Sequence, residues 1–147
     1  MPMIDLFAPQ GAIPTNALSL LAGRIVTAVH AEEGYPGSRF AASVSWTFVH
    51  EIPAGQLLVG TAPSDAPVWR VEIATPAGSL DASAKSRLGR EIARLVLAAE
   101  GSPAGAPGRV WCLFRDVADG DWLAGERAAS AAGIRAAVAL ERERAGA

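Results

Sequence analysis

The sequence predicts an α/β (α+β) fold in which two tandem β-α-β units form a four-stranded mixed sheet with two helices on one face. Three observations carry this expectation. Turn punctuation and apolar phase recur 67 positions apart: Pro9-Gln10-Gly11-Ala12-Ile13 aligns with Pro76-Ala77-Gly78-Ser79-Leu80, and at the same displacement Ala17, Leu21, Ile25 and Val29 meet Ala84, Leu88, Ile92 and Val96. Each copy reads in the order strand, helix, strand. Finally, 147 residues, 50% of them hydrophobic, suffice for one core, which at this length buries about 68–70% of the surface the unfolded chain exposes.

The elements follow in order. A first strand over 3–8 stops at Pro9 and Gly11, both turn residues. Ile4 and Leu6 share one side of it and Met3 and Phe7 the other, so neither side is fully wet. A helix over 15–33 starts at Thr15, an N-cap residue type, and spaces Leu18, Leu21, Ala22, Ile25 and Val29 by three or four into one stripe. Gly34 is placed to end it. A second strand over 42–51 puts Val44, Trp46, Phe48 and His50 on one side. The second unit repeats this with a strand over 68–74, a helix over 83–99 and a strand over 109–117 ended by Asp119-Gly120. Glu33-Gly34 and Pro36 meet Glu100-Gly101 and Pro103; after a two-residue slip, Trp46 meets Trp111 and Glu51 meets Asp116. The expected organisation is one domain over 1–147, with pseudo-repeats 2–60 and 67–125 and a C-terminal helix over about 131–145. Trp46 and Trp111, being repeat-related, read as core, and Cys112 as a small buried hydrophobe.

Composition narrows the function. Lys and Arg number 13 against 15 Asp and Glu, scattered without a basic stripe, so no nucleic acid partner is expected. The single cysteine rules out an intramolecular disulfide, and no Cys/His metal spacing occurs. No membrane span is expected, and the start lacks the basic and apolar regions of a signal peptide, which makes the cytoplasm the expected compartment. A sheet apolar on both sides with helices for only one calls for a partner sheet from another subunit.

Pro2 is the chemically distinctive residue. Removal of Met1, which a small second residue permits, leaves a secondary ring amine of fixed geometry. Such an amine can take a proton from a carbon acid, provided an apolar surround or a nearby cation lowers its pKa. Ile4 and Leu6 offer apolar walls and the arginines offer the cation. The strand that begins directly behind Pro2 anchors the amine on a rigid element.

Taken together, Pro2-Met3-Ile4-Asp5, the helix ending in Val29-His30, Phe48-Val49-His50-Glu51-Ile52-Pro53-Ala54-Gly55, Arg70-Val71-Glu72 leading to Thr75-Pro76-Ala77-Gly78, and Val110-Trp111 leading to Val117-Ala118-Asp119-Gly120-Asp121-Trp122 resemble the tautomerase superfamily. The likeness is to its long fused members, two β-α-β units in one chain and three chains in a trimer. It implies a 4-oxalocrotonate tautomerase-like or MIF-like fold, an amino-terminal proline catalyst at Pro2, a homotrimer, and no cofactor or metal.

The resemblance also implies site residues. An arginine grips the substrate carboxylate, with Arg70 first and Arg39 second in line; a solvated strand-end or loop charge is the other reading of each. His30 falls where some dehalogenase-like members hold a histidine near the substrate, and equally suits a helix C-terminus. Trp122 fits a hydrophobic wall over Pro2, or a core or interface tryptophan, with Asp121 beside it and Ile4 lining the floor. The expected reaction is keto-enol proton transfer on a small 2-keto or enol carboxylic acid. Thr75 and Gly78 stand where the hydrolytic dehalogenases carry paired arginines. The alternatives are a hydratase, dehalogenase or decarboxylase of the same superfamily, or a non-catalytic trimeric binding or structural protein.

Overall fold

The computed structural model describes residues 1–64, 66–102 and 104–146; Pro103, expected as the repeat partner of Pro36, lies outside them. In chain order the elements are β1 (Met3–Pro9), α1 (Thr15–Glu33), α2 (Arg39–Ser43), β2 (Trp46–Ile52), β3 (Leu58–Val59), β4 (Ala62–Pro63), β5 (Trp69–Pro76), α3 (Ala82–Ala99), β6 (Val110–Val117), β7 (Leu123–Ala124), β8 (Arg127–Ala128) and α4 (Ala131–Gly146).

β1 and β5 are central and antiparallel, and each pairs in parallel with the second strand of its own unit, giving the order β2-β1-β5-β6. A parallel pair needs a long crossover, and α1 and α3 supply one for each unit. Both helices lie on the same face. Ile4, Leu6, Ala8, Val71 and Ile73 point into it and meet Leu18, Leu21, Ile25 and Val29 from α1 and Leu88, Ile92 and Val96 from α3. Ile25 is fully buried at the centre of this layer. Ile25→Ala is therefore expected to cost about 2–5 kcal/mol, through lost burial and the cavity left behind; a urea midpoint within error of the native one would contradict this packing.

Two local expectations change. The strand expected over 42–51 begins only at Trp46, because 39–43 form the short helix α2. Ser38 Oγ accepts from Ala41 N at 3.0 Å and so starts a helical turn. The extended backbone resumes where Trp46 comes into register with Met3. Thr15 opens α1, but Pro14 is the N-cap and no side chain caps that end.

The larger correction concerns Trp46 and Trp111, which are not core. They are 60% and 68% exposed on the sheet face that no helix covers. The reason is strand phase. Burial of Ile4 and Leu6 under the helices sends Met3, Asp5 and Phe7 to the other face, and register places Trp46 beside Met3 and Trp111 beside Arg70, which itself opposes Phe7. One row across this open face therefore reads His50, Phe7, Arg70, Trp111, and the next Phe48, Asp5, Glu72, Leu113. Cys112, by contrast, is half-buried toward α3, and burial pushes its thiol up to about 11.

The short strands form two hairpins, β3 with β4 and β7 with β8. The C-terminal helix packs on α2, away from the main sheet core. Among the described residues no helix is long and apolar enough to cross a membrane.

Candidate active site

The start of the chain is the most unusual environment in the molecule. Gly34 ends α1 in the left-handed conformation, φ 81°, which glycine alone adopts without a Cβ penalty. Tyr35 N then donates to His30 O at 2.7 Å, and this return brings Tyr35 and α2 back beside the beginning of β1. Met1, Tyr35, Ala41, Ile134 and Val138 form a second buried cluster, flanked by Phe40, Val44, Trp122 and Ala129. Pro2 is buried within this part of the fold, and its carbonyl accepts from Trp46 N at 3.2 Å.

Helix α4 is clasped over the cluster. The Glu141 carboxylate accepts from Arg39 N at 2.9 Å, Phe40 N at 3.1 Å and the Ser38 hydroxyl, satisfying donors that the first turn of α2 would otherwise leave open. Those bonds, the Ser38 hydroxyl foremost, hold Glu141 below its ordinary carboxylate range. Arg142 Nη2 donates to Gly34 O at 2.9 Å, and the charges of Arg135 and Arg142 act on Tyr35 against the upward push of burial.

The polar floor of the cluster is Glu33. Its side chain is fully buried, and both carboxylate oxygens accept from the Met1 ammonium at 3.1 Å. Burial pushes Glu33 up and the terminal amine down, each opposed by its attraction to the other. Tyr35 is likewise raised, first by burial and then by Glu33. This is an environment that disfavours the charged form of an amine.

His30 faces the same region. Ser45 Oγ donates to Ala41 O at 2.7 Å, so in its 2.8 Å contact with His30 Nε2 it acts as the acceptor. That assigns the neutral ring its proton on Nε2 and leaves Nδ1 as an acceptor. Burial first, and the terminal ammonium second, hold His30 below its usual 6.5. A depressed folded-state pKa gives stability that is fully present above pH 6.5 and is lost as pH falls through the lower folded value. From about pH 7.5 to about pH 5 the native urea midpoint should therefore drop more steeply than that of His30→Asn, which keeps a donor for Ser45. Parallel slopes for the two proteins would remove this role from His30.

The residues singled out from the sequence divide. His30 and Trp122 come to the chain start. Ile4 lies in the main core beneath the helices, outside the terminal cluster. Arg39 is exposed as the first residue of α2, and Asp121 is exposed in the turn before β7, where its backbone N–H donates to Ala118 O at 3.0 Å. Arg70 opposes Phe7, five residues along β1 from Pro2, or about 17 Å away within one protomer at the usual strand rise.

Sequence reasoning missed Glu33, Tyr35, Ser45 and Arg135. One signal was present. Glu33 and Glu100 are repeat partners, each an acid at a helix C-terminus where the dipole disfavours negative charge. Each holds a donor from the start of its unit's first strand: Glu33 the terminal ammonium, Glu100 the Trp69 indole N–H at 2.5 Å. Among the described residues no group of three or more His, Cys, Asp or Glu side chains converges as a metal site.

No family model matches this sequence, and no curated protein does. Solved structures do match. "R7 fused 4-OT", an asymmetric trimer, superposes with a TM-score of 0.71 at 17% identity over 89% of this chain and 98% of its own. Pt0534 inactivated by 2-oxo-3-pentynoate gives 0.69 at 15% identity over 90% and 98%. Macrophage migration inhibitory factor from Toxoplasma gondii gives 0.67 at 16% over 86% and 99%. The chain has the tautomerase/MIF-like α+β fold, a mixed four-stranded sheet of β-α-β units with flanking helices.

Proposed function

We propose that this chain, once Met1 is removed, is a cofactor-independent tautomerase in which the Pro2 nitrogen is the general base for a small 2-keto or enol carboxylic acid. The observation that carries the reading is the dry cluster around the chain start, where burial lowers an amine's pKa toward the range in which a base works at neutral pH. A protein of similar fold is inactivated by 2-oxo-3-pentynoate, itself a small 2-oxo acid, which supports the substrate class.

The substrate's body takes the space now filled by the Met1 side chain, against Tyr35, Ala41, Ile134 and Val138 with Trp122 at the edge. Pro2 N accepts the proton from the carbon next to the carbonyl. The electron pair left behind forms the enol double bond, and the negative charge passes to the carbonyl oxygen. The protonated ring amine then returns the proton, to oxygen for the enol or to carbon for the keto form. Arg135, whose charge acts on Tyr35, grips the carboxylate as a fork; Arg70 reaches this amine only from a neighbouring protomer. Loss of Met1 removes the cation that opposes the upward push of burial on Glu33, so the buried acid and the buried ring amine both lean toward their neutral forms.

A homotrimer belongs to this proposal. The open face exposes Trp46, Phe48 and Leu113, a patch of the kind that marks an interface, and R7 fused 4-OT is a trimer. The test is intact mass, to show the state of residue 1, joined to a phenylenolpyruvate ketonisation assay on the native and Pro2→Ala proteins. Turnover by chains that all retain Met1 would end the proposal.

A further inference from the structure

A cavity lies at the other end of the sheet, at the position related to Pro2 by the internal repeat. Trp69 stands 67 residues after Pro2 and opens β5 as Pro2 precedes β1. Beside it is a space of about 610 Å³ walled by Phe7, Ile52, Trp69 and Trp111 and by Leu58 and Val59 of the β3–β4 hairpin. Two guanidinium groups, Arg70 and Arg109, also line it, and among the described residues no carboxylate does.

The two cations differ. Arg109 is tied to Glu100 at 2.9 Å and to the Pro67 carbonyl, so it is structural. Arg70 lies with its guanidinium carbon 3.9 Å from the centre of the Phe7 ring. The other side of that ring is stacked on His50, 4.4 Å between centroids and 12° from parallel. His50 is in turn held by Asp5 at 2.6 Å. Strands β2, β1 and β5 thus present a layered stack with the Arg70 guanidinium at its end. Its ion-pair partner, Glu72 at 3.2 Å, is engaged through Nε, the side of the fork nearest the main chain. A guanidinium is the group that recognises a planar oxyanion in two-point fashion.

We propose that this cavity is a second, non-catalytic ligand site for a small flat monocarboxylate, with Arg70 gripping the carboxylate and Phe7, Trp111 and the hairpin residues Leu58 and Val59 lining the space for an aromatic or conjugated body. Binding there leads to no proton transfer, because Trp69 occupies the ring-amine position and its N–H is committed to Glu100. The inference stands on the cavity and the stack, and does not rest on the chemistry of Pro2.

Indole N–H signals test it on the native protein, since the tryptophans report separate places: Trp69 and Trp111 the cavity, Trp122 the chain start. Titration with cinnamate should move Trp69 and Trp111 along one saturable curve that Trp122 does not share. Cinnamamide, the same shape without charge, should bind about tenfold more weakly or worse, as should cinnamate with Arg70→Gln, while Arg70→Lys should fall between. The cinnamate to cinnamamide comparison needs no variant and so survives any folding defect. Still Trp69 and Trp111 signals at millimolar cinnamate, equal affinity for the amide, or one curve shared with Trp122 would each overturn the proposal.

Discussion

Pro2→Ala is expected to lower kcat/KM for ketonisation of phenylenolpyruvate by about a hundredfold, with the fold intact. Positioned acid–base groups are worth about 10²–10⁴ in rate, and the lower end applies because alanine leaves a primary amine at the same point of the chain. What the variant loses is the ring. In a pyrrolidine the ring locks rotation about the N–Cα bond and so directs the lone pair, whereas an alanine amine rotates and must be frozen on the way to the transition state. Alanine is also small enough for Met1 removal to continue, so mass spectrometry can show native and variant to be matched at residue 1. Far-UV circular dichroism would confirm equal folding. Equal rates for two such proteins would leave the proline with no catalytic role.

In chains that keep Met1, Glu33→Ala should destabilise the fold by about 3–5 kcal/mol, the effect of removing one member of a buried ion pair. The Met1 ammonium has both Glu33 oxygens at 3.1 Å and sits in a cluster otherwise made of Tyr35, Ala41, Ile134 and Val138. Without the carboxylate it must lose its proton or draw water into an apolar space. Glu33→Gln, which retains an acceptor oxygen, should lose less. Urea titration of mass-verified protein decides the matter, and a loss below about 1 kcal/mol for alanine would show the pair to be solvated.

The parts of this molecule with a period of their own are legible in the sequence. Leu18, Leu21, Ile25 and Val29 repeat as a helix does, Ile4 and Leu6 as a strand does, and both lead correctly to the layered core. Trp46 and Trp111 show the limit of that signal. Their alternation marks them as strand residues, but which face the helices choose depends on both units at once, and the choice left them in the open. The environment of Pro2 is less legible still. It rests on Glu141 reaching α2 and Arg142 reaching Gly34, contacts between segments about a hundred residues apart that no local pattern encodes. Arg70 is legible as a strand arginine, but its separation from Pro2 within one protomer is set by the antiparallel pairing of β1 with β5, which no local pattern encodes.

The clasp of α4 over the chain start gives residue 1 a history. Met1 is buried against Ile134 and Val138 of α4, so an aminopeptidase reaches the Met1–Pro2 bond only before α4 docks or when α4 lifts away. A chain that folds before it is trimmed should therefore keep Met1 until α4 opens, and the ratio of the two forms would be set by when trimming occurs relative to that docking.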